Sequence, residues 1–368
     1  MTVGEVASTI EEWAPRSIAW ERDNVGLQVG DRNDNVRAII VVLDATPESI
    51  REATRKGANL VVSHHPLFFK PVLAITDASP TTQCIRMLLH AGINLYSAHT
   101  NLDFSEGGTS FALAATLGLQ RATLLRRSYE VLRKIVTYVP VAHVERVADA
   151  MARAGAGRIG NYDYCSFRLE GEGTFRAGPG ASPFTGSKES ISRTREIRLE
   201  MLADQWNTDV VVKAMKDAHP YEEVAHEVYP MENKSVKYGA GIVGDLERSM
   251  TLRNFLGAVR RRLMIPHLRY TGNPQTIVRR VAACGGSGSD LLQDAVEAGA
   301  DAFVTADIRY HTFHEAKGRI ALIDAGHYET EYPVVQQLAA RLRNHLAARK
   351  IPVRAFNSTG STNPVRYF

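Results

Sequence analysis

The run Ala38-Ile39-Ile40-Val41-Val42-Leu43 is apolar throughout, and Asp44 and then Thr46-Pro47-Glu48 follow it. Continuous apolar, β-branched runs belong to strands covered on both faces, as in a parallel sheet. Thr46 suits an N-cap and Pro47 the first helical position, so a helix follows and stops near Gly57. Outward from there, Asn59 to Ser63 predicts a second strand and Thr81 to His90 a helix. Ile93 to Ala98 predicts a third strand, and Ser110 to Leu117 another helix. The first third therefore reads as a β-α-β-α-β unit.

The last third repeats the scheme. Val278 to Ala283, Ala302 to Thr305 and Ile320 to Ile323 predict strands, and Asp290 to Ala298, His311 to Ala316 and Pro333 to Ala348 predict helices. Lys56-Gly57-Ala58-Asn59-Leu60-Val61-Val62-Ser63 echoes Ala298-Gly299-Ala300-Asp301-Ala302-Phe303-Val304-Thr305, which suggests two halves of one duplicated α/β scaffold. Between the halves the pattern changes. Strands over Lys134 to Val139, Tyr162 to Leu169, Ile197 to Met201 and Val224 to Tyr229, with helices over Val141 to Ala154 and Asn207 to Ala218, run β-α-β-β-α-β. That order is ferredoxin-like. Gly171 to Arg195, rich in Gly, Ser and Pro, predicts a long mobile excursion. Gly239, Gly241 and Gly244 mark the return to the outer scaffold. The expected fold class is α/β, with residues 1–129 and 241–368 as the two halves of the scaffold and 130–240 as a ferredoxin-like α+β insert.

A length of 368 residues, 44% hydrophobic and 23% charged, excludes a single small module and wholesale disorder. With 44 Lys and Arg against 40 Asp and Glu, the net charge is +4 and the signs are mixed along the chain. The densest basic run is only Arg260 to Arg262, so a nucleic-acid partner is not expected. Cys84, Cys165 and Cys284 are odd in number and far apart, as reduced structural thiols would be. No apolar run approaches the ~20 residues that span a bilayer. Met1 to Trp13 carries acids where a secretory signal would be basic, so a cytoplasmic location without a membrane partner is expected.

Ligands bind open α/β sheets at the carboxyl ends of the parallel strands. His64 and His65 follow Ser63 there, His99, Asn101 and Asp103 follow Ala98, and His327 and Glu331 follow Ile323. Imidazole and carboxylate together suit zinc, iron, manganese, cobalt or nickel. His327 and Glu331 stand at i and i+4, able to face one point. His64 and His65 diverge as strand neighbours and suit two adjacent metals, because five protein ligands are too many for one ion that keeps an open position. Asp44 and Asp307 read either as partners orienting ligand imidazoles or as ordinary strand-end turn residues. His90, His143, His267 and His345 lack a strand-end setting and read as core or surface residues. Gly285-Gly286-Ser287-Gly288-Ser289 reads either as a phosphate-holding loop or as a plain turn, and it fits neither the Walker nor the Rossmann pattern.

Asp23-Asn24-Val25-Gly26-Leu27-Gln28, Ser63-His64-His65-Pro66, His99-Thr100-Asn101-Leu102-Asp103 and Gly326-His327-Tyr328-Glu329-Thr330-Glu331 together resemble the GTP cyclohydrolase 1 type 2 homolog family, also called Nif-three-like proteins. Gly160-Asn161-Tyr162-Asp163-Tyr164-Cys165 with His219-Pro220-Tyr221-Glu222-Glu223 is similar to the PII-like (CutA-like) insert of its longer bacterial members. The resemblance covers nearly the whole chain. It implies two divalent metal ions per subunit, His65 and Asp103 on one, His64 and His327 on the other, and Glu331 shared. It also implies a ring-shaped homohexamer with the inserts over its openings, and GTP cyclohydrolase activity.

Two functions are consistent with this reading. One is a metal-dependent hydrolase acting on a nucleotide or phosphate ester, in which paired ions acidify water and polarise the substrate. His99 is then a candidate proton carrier. Asp23, Asn24 and Gln28 are candidates for a loop closing over the crevice. The other is a non-catalytic, metal-binding regulatory or scaffold hexamer.

Overall fold

In the computed structural model, which describes residues 1–129 and 131–366, the outer unit carries two separate sheets. The fully buried strand Ala38–Val42 lies parallel to Leu60–Ser63, which lies parallel to Asn94–Ser97. Gly26–Val29 closes that sheet antiparallel at one edge. The second sheet has Ile277–Ser287, Ala302–Ala306 and Ala321–Asp324 in parallel. Gly239–Thr251 and Leu119–Arg127 extend it antiparallel on one side, and Arg269–Tyr270 on the other. Among the described residues, no helix is long and apolar enough to cross a membrane.

The helix Ser79 caps, Pro80–Ala91, and the Thr46-capped helix Pro47–Arg55 follow the sequence closely, because Ser or Thr before Pro both accepts a backbone N–H and presets the first turn. The last helix departs from the repeat. Pro333–Ala348 buries Val334, Val335, Leu338, Ala339, Leu342 and Leu346 in one core with Ile39, Val41, Leu60 and Val62 of the first sheet. Arg354–Asn357, which the sequence does not announce, then joins that sheet in parallel beside Ala38–Val42. The last third is therefore not a self-contained copy of the first. Its closing helix and strand cross back and complete the other half.

Beyond that strand the chain is fastened by Glu52. Its buried carboxylate accepts from Ser358 Oγ at 2.6 Å and from Thr359 N and Oγ1 at 3.0 Å each, and pairs with Lys56. Burial alone raises its pKa, but Lys56 and the Ser358 and Thr359 donors outweigh that and lower it from 4.5 to about 2. A depressed carboxylate stabilises the fold above its unfolded pKa and loses that contribution as pH falls through the folded one. The difference between 4.5 and about 2 is worth at most roughly 3 kcal/mol. Glu52→Gln should therefore destabilise the protein at pH 7 by about 2–3 kcal/mol, with the gap to wild type closing between pH 4.5 and 2. Urea titrations across that range test this, and a gap independent of pH contradicts it.

The second compact unit is residues 128–236; the expected first residue of the insert, Glu130, lies outside the described residues. Its four strands, Leu132–Pro140, Phe167–Arg176, Ile191–Asp204 and His226–Met231, form one antiparallel sheet. Helices Val144–Arg153 and Thr208–Ala218 pack on one face, around Ile135, Leu199, Met201, Val211 and Met215. The expected excursion from Gly171 to Arg195 needs correction at both ends, since residues 171–176 and 191–195 are paired strand and only residues 177–190 form the loop between them. Exposed polar residues hid the hairpin. Glu170 pairs with Arg195 and Glu172 with Arg193 diagonally across it, so charge pairs replace the apolar alternation that announces a strand.

Candidate metal centre

Three elements of the outer unit deliver the chemistry. His64 and His65 follow strand Leu60–Ser63, Asp103 closes the single turn Thr100–Asp103, and His327 and Glu331 are the ends of the short helix His327–Glu331. Each imidazole is aimed from behind through Nδ1. His64 Nδ1 donates to the Ala98 carbonyl at 2.9 Å, His65 Nδ1 to Asp44 Oδ1 at 2.7 Å, and His327 Nδ1 to Asp307 Oδ2 at 2.6 Å. All three Nε2 atoms then face Glu331. His65 Nε2 lies 2.9 Å and His327 Nε2 3.1 Å from Glu331 Oε2, while His64 Nε2 lies 3.9 Å from Oε1. His64 Nε2 is also 3.5 Å from Asp103 Oδ1.

His64 Nε2 thus stands nearest Asp103, and the Nε2 atoms of His65 and His327 stand together at Glu331 Oε2. The cause is local: the Ala98 carbonyl turns the His64 ring toward the turn carrying Asp103, whereas Asp44 turns His65 toward the helix carrying His327. A backbone carbonyl leaves no mark in the sequence.

The site is buried and its donors are unsatisfied. Glu331 is 3% and His64 1% exposed. Among the described residues, His64 Nε2, Asp103 Oδ1 and Glu331 Oε2 are buried atoms without a hydrogen-bond partner. Such orphans are rare in folded proteins and point to a missing group. Burial and then the Glu331 carboxylate push Asp103 up to about 7. Burial pushes His64 down to about 3. Burial also opposes charge on His65, but the Asp44 hydrogen bond and the Glu331 carboxylate beside it prevail and raise it to about 10. His327 is raised to about 9, first by Glu331. The same neighbours hold Glu331 far below the carboxylate range against its burial. Ligating atoms of His65, His327 and Glu331 gather within 4.8 Å of one another, as do those of His64, His65 and His99.

His99 is brought to the same crevice. Its ring centroid is 5.3 Å from that of His64 and 5.4 Å from that of His65. Its Nδ1 donates to Asp23 at 2.9 Å, and Asp23 also accepts from Thr100 N at 3.1 Å and from its hydroxyl. Asn24 and Gln28 are engaged elsewhere. Asn24 donates to the Phe68 carbonyl, and Gln28 bridges the Leu67 amide and the Asn24 carbonyl. They fasten the segment that follows His64-His65-Pro66.

Sequence reasoning missed two contributors. Thr362 Oγ1 donates to Asp44 Oδ2 at 2.6 Å, and Asn363 donates to Glu329 at 2.9 Å, so the C-terminal Ser-Thr-Asn cluster braces residues around the site. Gly286 has φ +64°, and a Cβ there would sit 2.0 Å from Glu331 Oε1. Of the two readings of the glycine-rich loop, this glycine is accounted for by the room that a carboxylate needs.

The sequence signature of the family described as Duf34/NIF3 (NGG1p interacting factor 3) matches residues 1–364. The chain belongs to the Duf34/NIF3 family. Among its relatives are the "GTP cyclohydrolase 1 type 2 homolog" of Halalkalibacterium halodurans, 35% identical over 364 residues and 98% of each chain, and that of Bacillus subtilis, 35% identical over 365 residues, 99% of this chain and 98% of the other. A solved Bacillus cereus protein related to NIF3 superposes with a TM-score of 0.89 at 37% identity, covering 100% of this chain and 99% of the other. The fold is thus that of Duf34/NIF3 proteins, and the strand-end cluster lies within the part of the chain that carries the family signature.

Proposed function

We propose that this protein is a metal-dependent hydrolase whose centre takes two divalent cations and acts on a nucleotide or phosphate ester. The observation that supports it is the convergence of three orphaned buried atoms, His64 Nε2, Asp103 Oδ1 and Glu331 Oε2, with two more imidazole nitrogens at Glu331. The donor set, imidazole and carboxylate without thiolate, fits zinc, iron, manganese, cobalt or nickel. His64, His65, Asp103 and His327 would hold the cations, with Glu331 shared between them. When bound, such a pair supplies Lewis acidity and lowers the pKa of water from 15.7 to about 7.

The protein's own groups do the rest. Asp44, Asp307 and the Ala98 carbonyl keep each Nδ1 protonated and so fix each Nε2 as a lone-pair donor. Asp23 does the same for His99, leaving its Nε2 as the atom that carries a proton to or from the substrate. The GTP in the relatives' name makes a purine nucleotide the first substrate to test. The ring-shaped homohexamer, with residues 130–240 as PII-like inserts over its openings, belongs to the same proposal, and light scattering tests it.

Protein loaded with zinc, manganese or iron is to be assayed against GTP and generic phosphodiesters beside Glu331→Gln. Turnover that persists in the variant, or fails with every metal, defeats the hydrolase reading and leaves a non-catalytic metal-binding hexamer. Asp44→Asn should weaken metal binding about 10- to 100-fold by loosening His65, and Thr362→Val less, by freeing Asp44. Competition with a chromogenic chelator measures both, and unchanged affinity in Asp44→Asn would show that His65 is not a ligand.

A further inference from the structure

A cavity of about 650 Å³ lies in the second unit, within the size range of small-molecule sites. Its floor is the sheet face turned away from the two helices. Along strand Ile191–Asp204, Leu199, Met201 and Ala203 are buried against the helices, so Glu196 and Arg198 face the other way. Opposite Glu196 in the neighbouring strand is Gly171, and Gly173 follows on the same face. These glycines leave bare backbone as a flat floor. The walls are the loop carrying Phe184 and the turn carrying Tyr221, whose ring centroids are 6.2 Å apart. Ser182 N donates to Glu222 at 2.7 Å and ties the loop to that turn.

Glu196 is the unusual member. It is only 9% exposed, and Oε1 accepts from the Tyr221 hydroxyl at 2.7 Å. Burial and then this carboxylate push the Tyr221 pKa well up, so the phenol stays a donor. Among the described residues, neutralising arginines pair with Glu170 and Glu172 but not with Glu196. Its other oxygen lies where Gly173 has no side chain, since a Cβ there would be 2.1 Å from Oε2. A carboxylate with one neutral donor keeps acceptor capacity for a ligand that brings N–H groups. Aromatic walls and a flat floor select a planar ring, and the Glu196 carboxylate takes its N–H edge.

We propose that this cavity binds a planar nitrogen heterocycle of the nucleobase kind, its N–H edge on Glu196 and its ring against Phe184 and Tyr221. Guanine, which presents adjacent ring N–H and amino donors, is the probe of choice. The proposal does not depend on the metal centre.

The test is calorimetric titration of the full chain with guanosine and with inosine, which lacks the amino group. It is run in a Glu331→Gln background, so that binding at the candidate metal centre is set apart. Guanosine should bind, inosine about tenfold more weakly, and Glu196→Gln should weaken guanosine about 10- to 100-fold. Gly171→Leu supplies a second variant, because nothing lies within 4 Å of the added Cβ and the side chain would fill the cavity without disturbing the strand. It should abolish binding while the circular dichroism stays unchanged. Absence of guanosine binding, equal binding of inosine, or unchanged affinity in both variants overturns the proposal.

Discussion

Glu331→Gln should strip the protein of both metal ions and lower turnover at least a thousandfold. The substitution keeps the shape of a side chain that is 3% exposed and fitted against Gly286, so the fold has no steric reason to respond. It removes the one negative charge that faces His64, His65 and His327 together. At an effective dielectric of ~20, a unit charge ~4 Å from another is worth about 4 kcal/mol, and a divalent ion doubles that. Even after partial compensation by the amide oxygen, the loss exceeds the roughly 4 kcal/mol that a thousandfold change in affinity represents. The amide also presents N–H to positions that want lone pairs. Metal analysis after dialysis against buffered zinc should give about two ions per chain for wild type and less than one for the variant. A variant that retains both ions would place the centre elsewhere, and with it every role assigned to His64, His65, Asp103 and His327.

Much of this site was legible because its side chains sit at strand ends, where the apolar runs Ala38–Val42 and Leu60–Ser63 fix position with little help from the rest of the chain. The common face of His327 and Glu331 was legible from their i and i+4 spacing, although the separate short helix His327–Glu331 that carries them was not announced. What escaped the sequence lay in long-range choices. Strand Arg354–Asn357 has four residues, too few for periodicity to announce, and it exists because Ala38–Val42 offers it a free edge. Helix Pro333–Ala348 shows a clear apolar stripe, but a stripe does not say which sheet it covers. The aim of the His64 ring was hidden because the Ala98 carbonyl sets it, and the bracing of Asp44 by its distance from Thr362, 318 residues along the chain.

Chelation should lower the melting temperature of the outer unit by roughly 15–30 °C, and zinc should restore it. A ligand that binds only the folded state stabilises it by RT ln(1 + [L]/Kd), about 4 kcal/mol per site at a thousandfold excess over Kd, so two sites contribute roughly 8 kcal/mol. For a unit of this size each kcal/mol shifts the midpoint by about 2–4 °C. Without cations the same pocket buries the Asp103 carboxylate and sets it against Glu331, and the two effects, burial first, push Asp103 up to about 7. The loss should be local in its origin. Ser63 to His65, Thr100 to Asp103 and His327 to Glu331 contribute side chains to the site, whereas residues 128–236 have their own core around Ile135, Leu199 and Met215 and contribute none. Hydrogen exchange should therefore lose protection first in the three ligand-bearing segments, with the second unit little changed. Calorimetric scans of wild type and Glu331→Gln, each with and without chelator, separate the possibilities: the wild-type midpoint should move and the variant's should not. A wild-type midpoint indifferent to chelation would mean that these five side chains hold no ion in the folded protein, leaving the orphaned atoms at His64, Asp103 and Glu331 as a cost the fold bears for some other ligand.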